Sequence, residues 1–251
     1  MKAFVCNEFG PIDIHKVEEV AEPELLDGYF KRITIPNSVG NDSIVWDYNV
    51  NNTLVKGASK TVYAYNKYNN TISESFYNKN NEPCNNELGI HIIKHFYDNR
   101  QQYIGYAYFD IKGKKTNNSE GVFSNFQTLN EMGYLIKDFY YDKNDKPVFG
   151  PEGYHTKEYT WDGKGETTKV STFDKNNKLL EDATGVAEYR YTLSNSGLLS
   201  SVKRYDQNGD LTNNTSGIAE TYYLPYLNGL YFLDKELDSF GKEITSDSEN
   251  K

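Results

Sequence analysis

The sequence is poor in the residues that usually indicate a chemical function. It contains only 2 Cys, 4 His and 2 Trp among 251 residues. Two cysteines do not build a disulfide framework, which predicts a reducing, cytoplasmic setting. No apolar run approaches the roughly 18 residues that span a bilayer, and the first residues lack the apolar core of a secretory signal peptide. We therefore expect no membrane association and no export.

Positive charge and helical periodicity are also scarce. Lys and Arg number 27 against 36 Asp and Glu, a net charge of −9, and no Lys/Arg cluster stands out that would neutralise phosphates. We therefore expect no nucleic-acid binding. No stretch repeats its apolar residues every 3.6 positions over the length of a helix, so few helices are expected. Aromatic residues reach 15%, which argues against disorder.

The sequence does contain an internal repeat of 32 residues. Six glycines recur at that interval: Gly57, Gly89, Gly121, Gly153, Gly185 and Gly217. An aromatic series keeps the same interval: Tyr77, Phe109, Tyr141, Phe173 and Tyr205. Two turn series do so as well: Asn81, Gly113, Asp145, Asn177, Gly209 and Gly241, and Asn37, Asn69, Gln101, Gly133, Gly165, Gly197 and Gly229. Four series in phase predict a tandem array without insertions.

Each unit has the pattern of a β hairpin. Residues 187–193 alternate apolar and polar side chains, which is typical of a half-buried strand. A tight turn follows, with Gly197 at the position that most needs a positive φ, and residues 198–205 form the return strand. The predicted fold is all-β: an antiparallel β-hairpin repeat array of about six units. Because open sheets rarely exceed ~10 strands, we expect a curled sheet, a solenoid or a barrel-like structure.

Three regions are predicted along the chain. Residues 1–28 lie out of register with the repeat and are interpreted as an N-terminal β-hairpin cap, because a repeat array needs its terminal strand edges protected. Residues 29–245 hold the tandem hairpins. Residues 246–251 are expected to form a disordered tail.

The units resemble a 32-residue bacterial tandem repeat with the pattern G-Y, Y-x-Y-D-x-x-G-N and Y-F-D-x-x-G-K-P. The matching residues are Gly153, Tyr154, Tyr159, Trp161, Asp162, Gly165, Phe173, Asp174 and Lys178. This repeat is similar to the YD repeats of Rhs-type proteins. The resemblance covers residues 45 to 245 and implies hairpin repeats, but it implies no activity.

Residues 1–25 resemble the N-terminus of quinone oxidoreductases, which belong to the medium-chain dehydrogenases. The matching stretches are Met1 to Cys6, Phe9 to Pro11, Val17 to Val20 and Glu22 to Glu24. In that family the segment is the first β hairpin of the catalytic domain. The rest of this chain lacks a Gly-rich dinucleotide fingerprint and the family's zinc-ligand pattern. No cofactor and no dehydrogenase activity are therefore expected.

The two histidines His91 and His95 are the candidates for acid–base chemistry. On a strand they lie about 13 Å apart, too far to share one zinc ion at ~2.1 Å, so we expect no metal site. His91 and His155 occupy the same repeat position, which favours a structural slot. The turn that begins at Asp206 is similar to the opening of a calcium loop, but it lacks the required Gly and Glu, and an Asx turn explains it.

The middle units carry aromatic residues where later units carry Thr168, Thr172, Ser200 and Arg204. We assign this aromatic set to the face opposite a ladder formed by Tyr63, His95, Gln127, Tyr159, Tyr191 and Tyr223. The proposed ligand-binding residues are Phe96, Ile104, Tyr106, Tyr108, Ile136 and Tyr140. Something must cover them: the N-terminal segment, the interior of a curled sheet, a partner or a ligand.

Three functions follow as hypotheses. The first is a non-enzymatic β-repeat scaffold that binds a protein or small-molecule partner through this aromatic surface. The second is an enzyme whose sheet curls around a pocket lined by Phe96, Tyr106, Tyr108 and Tyr140, with His91, His95 or a carboxylate as acid or base. The third is carbohydrate binding on exposed Tyr side chains and Trp161. The sequence leaves the oligomeric state open.

Overall fold

A computed structural model describes residues 2–5, 16–19, 31–48, 58–225 and 231–244. These residues form β strands joined by turns, and none of them forms a helix that could cross a membrane. The strands are β1 Lys2–Val5, β2 Lys16–Glu19, β3 Lys31–Pro36, β4 Asp42–Tyr48, β5 Lys60–Tyr65, β6 Thr71–Tyr77, β7 Ile92–Tyr97, β8 Tyr103–Phe109, β9 Ser124–Leu129, β10 Leu135–Tyr141, β11 Thr156–Trp161, β12 Thr167–Phe173, β13 Glu188–Leu193, β14 Leu199–Tyr205, β15 Glu220–Pro225 and β16 Tyr231–Leu237.

Strands β3 to β16 form one 14-stranded antiparallel sheet in which every strand pairs with its neighbours in sequence. This confirms the predicted all-β hairpin array. The sheet does not close into a barrel: β3 and β16 stand at its two ends. Strands β1 and β2 pair antiparallel with each other, Phe4 opposite Val17, in a separate two-stranded sheet. They form the pairing expected of an N-terminal hairpin, while the capping role stays a prediction.

The turns have one recurring geometry, and Asp162 illustrates it. Its carboxylate oxygen Oδ1 accepts hydrogen bonds from the backbone N–H of Lys164 at 2.8 Å and of Glu166 at 2.9 Å. The fourth residue, Gly165, has φ +91°. Aspartate and asparagine favour such turns because their side chains satisfy these backbone donors. The positive φ predicted for Gly197 is confirmed, at 82°. Series members without glycine also adopt a positive φ, of 60° to 68°: Asn69, Asn81, Gln101, Asp145 and Asn177.

The segment between hairpins forms an ordered turn as well. After β10, Tyr141 makes an antiparallel bridge with Pro147, and the N–H of Val148 donates to the carbonyl of Tyr140 at 3.2 Å. A third turn then leads into the next hairpin. The glycine series that defines the repeat supplies the positive φ of this turn: Gly89, Gly121, Gly153, Gly185 and Gly217. Gly57, the first member, lies outside the described residues.

The first hairpin is out of phase with the others. The turn series places Asn37 in the same turn position as Asn69, and this placement is wrong. Asn37 opens its turn, because its Oδ1 accepts from the N–H of Val39 and of Asn41, both at 3.0 Å. Gly40 is the residue with positive φ, at +91°. Gly229, the last member of that series, lies outside the described residues.

A β-bulge follows the hairpin turn and decides which side chains share a face. In the pair β7–β8, Tyr97 lies opposite Tyr103, but Phe96 lies opposite Gly105, which leaves Ile104 as the extra residue. Ile136 is the equivalent residue of the pair β9–β10. The extra residue reverses the alternation of the strand beyond it. Side chains of the return strand therefore lie on the opposite face of the sheet from the one that a hairpin without the bulge would give them.

The core is a stripe along the side where successive units connect. Ile90, Val122, Tyr154 and Val186 precede a strand and are all buried, with Ile90 fully inaccessible. Ile90 packs with Ala107, Tyr108 and Phe123, and Val122 packs with Tyr140 and Tyr154. Burying a side chain of this size stabilises the fold by about 1.5–3 kcal/mol, so each unit is held to the next by its own connecting segment.

Candidate binding surface

The predicted aromatic set is divided between the two faces of the sheet. Tyr106 lies directly opposite His95, and Tyr140 opposite Asn125, so Tyr106, Tyr108 and Tyr140 share a face with the ladder they were expected to oppose. We call this the tyrosine face. Their assignment to the opposite face is wrong, because the bulges at Ile104 and Ile136 were not foreseen. Phe96 lies opposite Gly105 on the other face.

Burial divides the set further. Tyr108 and Tyr140 are 8% and 9% exposed, so they belong to the core stripe and leave little surface to a ligand. Their burial raises the pKa of both hydroxyls. Phe96, Ile104, Tyr106 and Ile136 are half-buried. Of the named residues, only Phe96 lines the depression of about 560 Å³ described below.

The candidate histidines have structural partners. His91 is 5% exposed, and its Nδ1 lies 3.0 Å from the carbonyl oxygen of Cys84. His155 repeats this contact with Val148 at 3.2 Å, which confirms a shared structural slot. Burial lowers the pKa of His155, which favours the neutral form of its imidazole. His95 Nε2 lies 2.9 Å from Glu74 Oε1 on the tyrosine face. No group of three His, Cys, Asp or Glu side chains that could hold a metal occurs in the described part of the chain.

The aromatic residues named in the enzyme hypothesis do not line one common pocket. Phe96 and Tyr106 lie on opposite faces of one sheet, so they cannot line a common cavity within it. A carboxyl group with a raised pKa does occur: Asp138 is buried on the tyrosine face, burial raises its pKa, and Tyr154 donates to its Oδ2 at 3.2 Å. Sequence reasoning missed Asp138, because nothing in the local pattern indicates that a mid-strand aspartate is buried.

Trp161, the anchor of the carbohydrate hypothesis, is occupied on one ring face. Tyr134 stacks on the Trp161 ring with centroids 4.9 Å apart and an angle of 22° between the planes. The Nε1–H of Trp161 donates to the carbonyl of Leu135 at 2.7 Å. Sugar-binding aromatics offer a free, flat ring face. Trp161 retains only one such face.

The strongest candidate site lies on the other side of the sheet, which we call the phenylalanine face. Three phenylalanines of β7, β8 and β9 surround a depression of about 560 Å³. Phe96 and Phe126 pack with ring centroids 5.5 Å apart, and Phe109 meets Phe123 edge to face at 5.8 Å. We call this site the phenylalanine depression; it is lined by Phe96, Ala107, Phe109, Lys115, Phe123, Ser124, Phe126, Tyr141 and Asp145.

Small residues create the depression. Gly105, Ala107 and Ser124 meet across β8 and β9, with Gly105 opposite Phe126 and Ala107 opposite Ser124. Gly105 has φ +138°, and a Cβ there would lie 2.9 Å from the Cα of Phe126 and still closer to the carbonyl of Asn125. Only glycine permits this approach of the two strands.

The next unit fills the equivalent positions with large or charged residues. Thirty-two residues after Gly105, Ala107 and Phe126 stand Lys137, Phe139 and Glu158. Lys137 and Glu158 form an ion pair at 3.0 Å across β10 and β11. The apolar concavity is therefore a feature of one place in the array and not a consequence of the repeat.

Fold and surface together define an antiparallel β-hairpin repeat protein, a β-repeat scaffold with an apolar depression on one face of an open sheet. No protein-family model matches the chain, and no curated protein matches it.

The chain matches solved structures of Tc toxin complexes at low identity. A crystal structure of TcdB2-TccC3-TEV matches 100% of this chain and 14% of its own at 10% identity and a TM-score of 0.48. TcdB2-TccC3 without its hypervariable C-terminal region matches 93% and 12% at 11% identity, TM-score 0.42. A mutant Tc holotoxin pore of Photorhabdus luminescens matches 85% and 14% at 13% identity, TM-score 0.33. The chain thus spans about one seventh or less of the chains it matches.

Proposed function

We propose that this chain is a non-enzymatic β-repeat scaffold that binds a protein partner at the phenylalanine depression. The supporting observation is an apolar concavity of about 560 Å³ on a face whose next unit carries an ion pair at the equivalent positions. Its volume falls in the ~300–1,000 Å³ range of natural binding pockets. Aromatic side chains around a cleft supply the anchoring contacts that dominate interface energies.

The same proposal keeps two resemblances as hypotheses. The match of the units to YD repeats of Rhs-type proteins is a proposal about their origin, as is the match of residues 1–25 to quinone oxidoreductases. A cytoplasmic location also stays a prediction from the sequence. None of these is needed for the binding site, which rests on the described residues alone.

A peptide selection on the whole chain tests the proposal. Peptides displayed on phage are selected against immobilised protein, and the binders are measured with the Phe126→Ala variant. Loss of a central aromatic anchor typically costs 2 kcal/mol or more, so we expect affinity to fall at least about 30-fold. The control is Phe240→Ala, since Phe240 is 93% exposed on the turn after β16 and distant in sequence from the depression. Selected peptides that bind both variants equally, with folding unchanged in circular dichroism, would refute the site.

A further inference from the structure

The phenylalanine face carries a surplus of positive charge in a chain that is acidic overall. Pairing registers place on this face, in the described strands β5 to β16, seven basic side chains: Lys60, Lys94, Lys137, Lys169, Arg190, Lys203 and Lys235. The same strands place three acidic side chains there: Glu158, Glu188 and Glu220. The chain as a whole has a net charge of −9, so its acidic residues lie elsewhere.

The tyrosine face has the opposite sign. Outside the bulges, the same described strands place Lys157 and Arg204 on it, against Glu74, Asp138 and Glu236. The sheet therefore separates charge between its faces. Sequence inspection does not reveal this separation, because basic and acidic residues alternate along the chain and the bulges reverse their faces.

The acidic residues of the phenylalanine face are all neutralised by neighbours. Glu158 pairs with Lys137 at 3.0 Å, Glu220 with Lys203 at 2.9 Å, and Glu188 with Arg190 at 2.6 Å and Lys169 at 3.4 Å. These pairs occupy strands β10 to β15, beyond the depression. Outside these pairs, the basic strand residue of this face that lies on a strand of the depression is Lys94 of β7.

At the depression itself, two lysines stand over phenylalanine rings. Lys94 Nζ lies 4.6 Å from the ring centre of Phe109, and Lys115 Nζ lies 5.0 Å from that of Phe123. Lys115 also pairs with Asp145 at 2.6 Å, which neutralises the one acidic residue of the lining. Lys94 has no acidic partner among the described residues. Its exposed ammonium group gives the rim a net positive charge.

We infer that the partner at the phenylalanine depression is an acidic polypeptide segment that carries an apolar anchor side chain. The anchor fills the concavity between Phe96 and Phe126, and the carboxylates of the segment face the ammonium group of Lys94. Complementary charge of this kind sets specificity and the rate of association. The inference rests on the proposed function, because it names the chemistry of the partner at the same site.

A basic surface with aromatic side chains could also bind a single-stranded nucleic acid, but the packing of the phenylalanine rings disfavours this alternative. Nucleic-acid binding requires aromatic rings with a free face on which bases stack. Here one face of the Phe109 ring and one face of the Phe123 ring are each occupied by a lysine ammonium group, and Phe96 packs against Phe126. A concavity admits a side chain, whereas stacked bases need a platform.

Fluorescence anisotropy with four labelled probes tests the inference on the full chain. The probes are a twelve-residue peptide rich in Asp and Glu with one Leu-Trp anchor, the same peptide with Asn and Gln, the same with Lys, and a twelve-residue oligothymidylate. At low salt we expect the acidic peptide to bind about ten-fold more tightly than the neutral one. The difference should shrink at 0.5 M salt, where exposed charges are screened.

Variants separate charge from apolar contact. Lys94→Gln should weaken the acidic peptide about two- to five-fold, the scale of one exposed ion pair, and leave the neutral peptide unchanged. Lys157→Gln on the tyrosine face is the matched control and should change neither. Phe126→Ala should weaken both peptides.

Each contrary result has a distinct meaning. Equal binding of the acidic and neutral peptides, with Phe126→Ala weakening both, overturns the acidic partner and leaves the binding site standing. Absence of binding by all three peptides overturns the site and the partner together. Tighter binding of the oligothymidylate than of the acidic peptide overturns the acidic partner in favour of nucleic acid.

Discussion

Gly105 is the residue whose replacement should disturb the sheet most for the smallest chemical change. In Gly105→Ala, the added methyl group meets the carbonyl of Asn125 and the Cα of Phe126 across β8 and β9. Its φ of +138° lies where L-residues rarely occur, at a cost of about 1–3 kcal/mol. Overpacking against backbone adds about 1–3 kcal/mol. The expected loss of stability is about 2–6 kcal/mol, a large share of the ~5–15 kcal/mol of a typical domain.

Gly113→Ala is the matched control for this prediction. Gly113 also has a positive φ, +73°, but a Cβ there meets nothing within 4 Å. Its cost is the left-handed conformation alone, about 1–2 kcal/mol. Urea unfolding followed by far-UV circular dichroism should therefore show Gly105→Ala less stable than Gly113→Ala by about 1–4 kcal/mol. Equal losses would refute the close approach of β8 and β9 that forms the depression.

Three further substitutions test the turns and the buried polar groups. Burial lowers the pKa of His155, so on acidification the unfolded chain takes up this proton before the folded chain does. Stability should therefore fall as pH drops below about 6.5. His155→Phe introduces the residue found 32 positions earlier, Phe123, and should reduce the difference between the urea midpoints at pH 7.5 and 5.5. Burial alone would raise the pKa of Glu188, but hydrogen bonds from Ser171 and Arg190 outweigh it and lower the pKa. Glu188→Gln should therefore cost about 1–3 kcal/mol at pH 7. Thermal scans should show this cost decline once pH falls below the ordinary glutamate pKa of ~4.3 and disappear only below the lowered pKa of the folded state. Asn177 has φ +61°, so Asn177→Gly should stabilise the chain by up to about 1 kcal/mol, and a lower melting temperature would contradict the assigned turn.

The hairpins and their turns were predictable because the repeat places special residues at the turns. A positive φ favours Gly and Asn, and a side chain that accepts hydrogen bonds from the turn's backbone N–H groups favours Asp and Asn. Asp162 and Gly165 therefore identify their turn from the sequence alone. The third turn was predictable in principle from Asn118 and Gly121, which share that spacing. The phase of the first hairpin was not, because Asn37 suits either position in the turn.

The faces of the sheet were not predictable, and neither was the site. No special residue marks the bulge, since Ile104 and Ile136 are ordinary strand residues, yet each reverses the alternation after it. Tyr106 and Tyr140 were consequently placed on the wrong face. The depression depends on Gly105, whose role is set by contact with β9, a strand about twenty residues away. Such cross-strand contacts become visible only once the register is known.

Excision of one repeat tests the central claim most directly, namely that a single 32-residue hairpin module builds the main sheet. Removal of residues 159–190 joins Glu158 to Tyr191, which occupies the position of Tyr159, whereas removal of residues 159–189 shifts the strand by one residue and reverses its faces. We predict that the 32-residue deletion keeps a cooperative thermal transition and the same β signal per residue in circular dichroism, and that the 31-residue deletion unfolds at clearly lower temperature. Equal stability of the two deletions, or loss of structure in the first, would contradict the repeat.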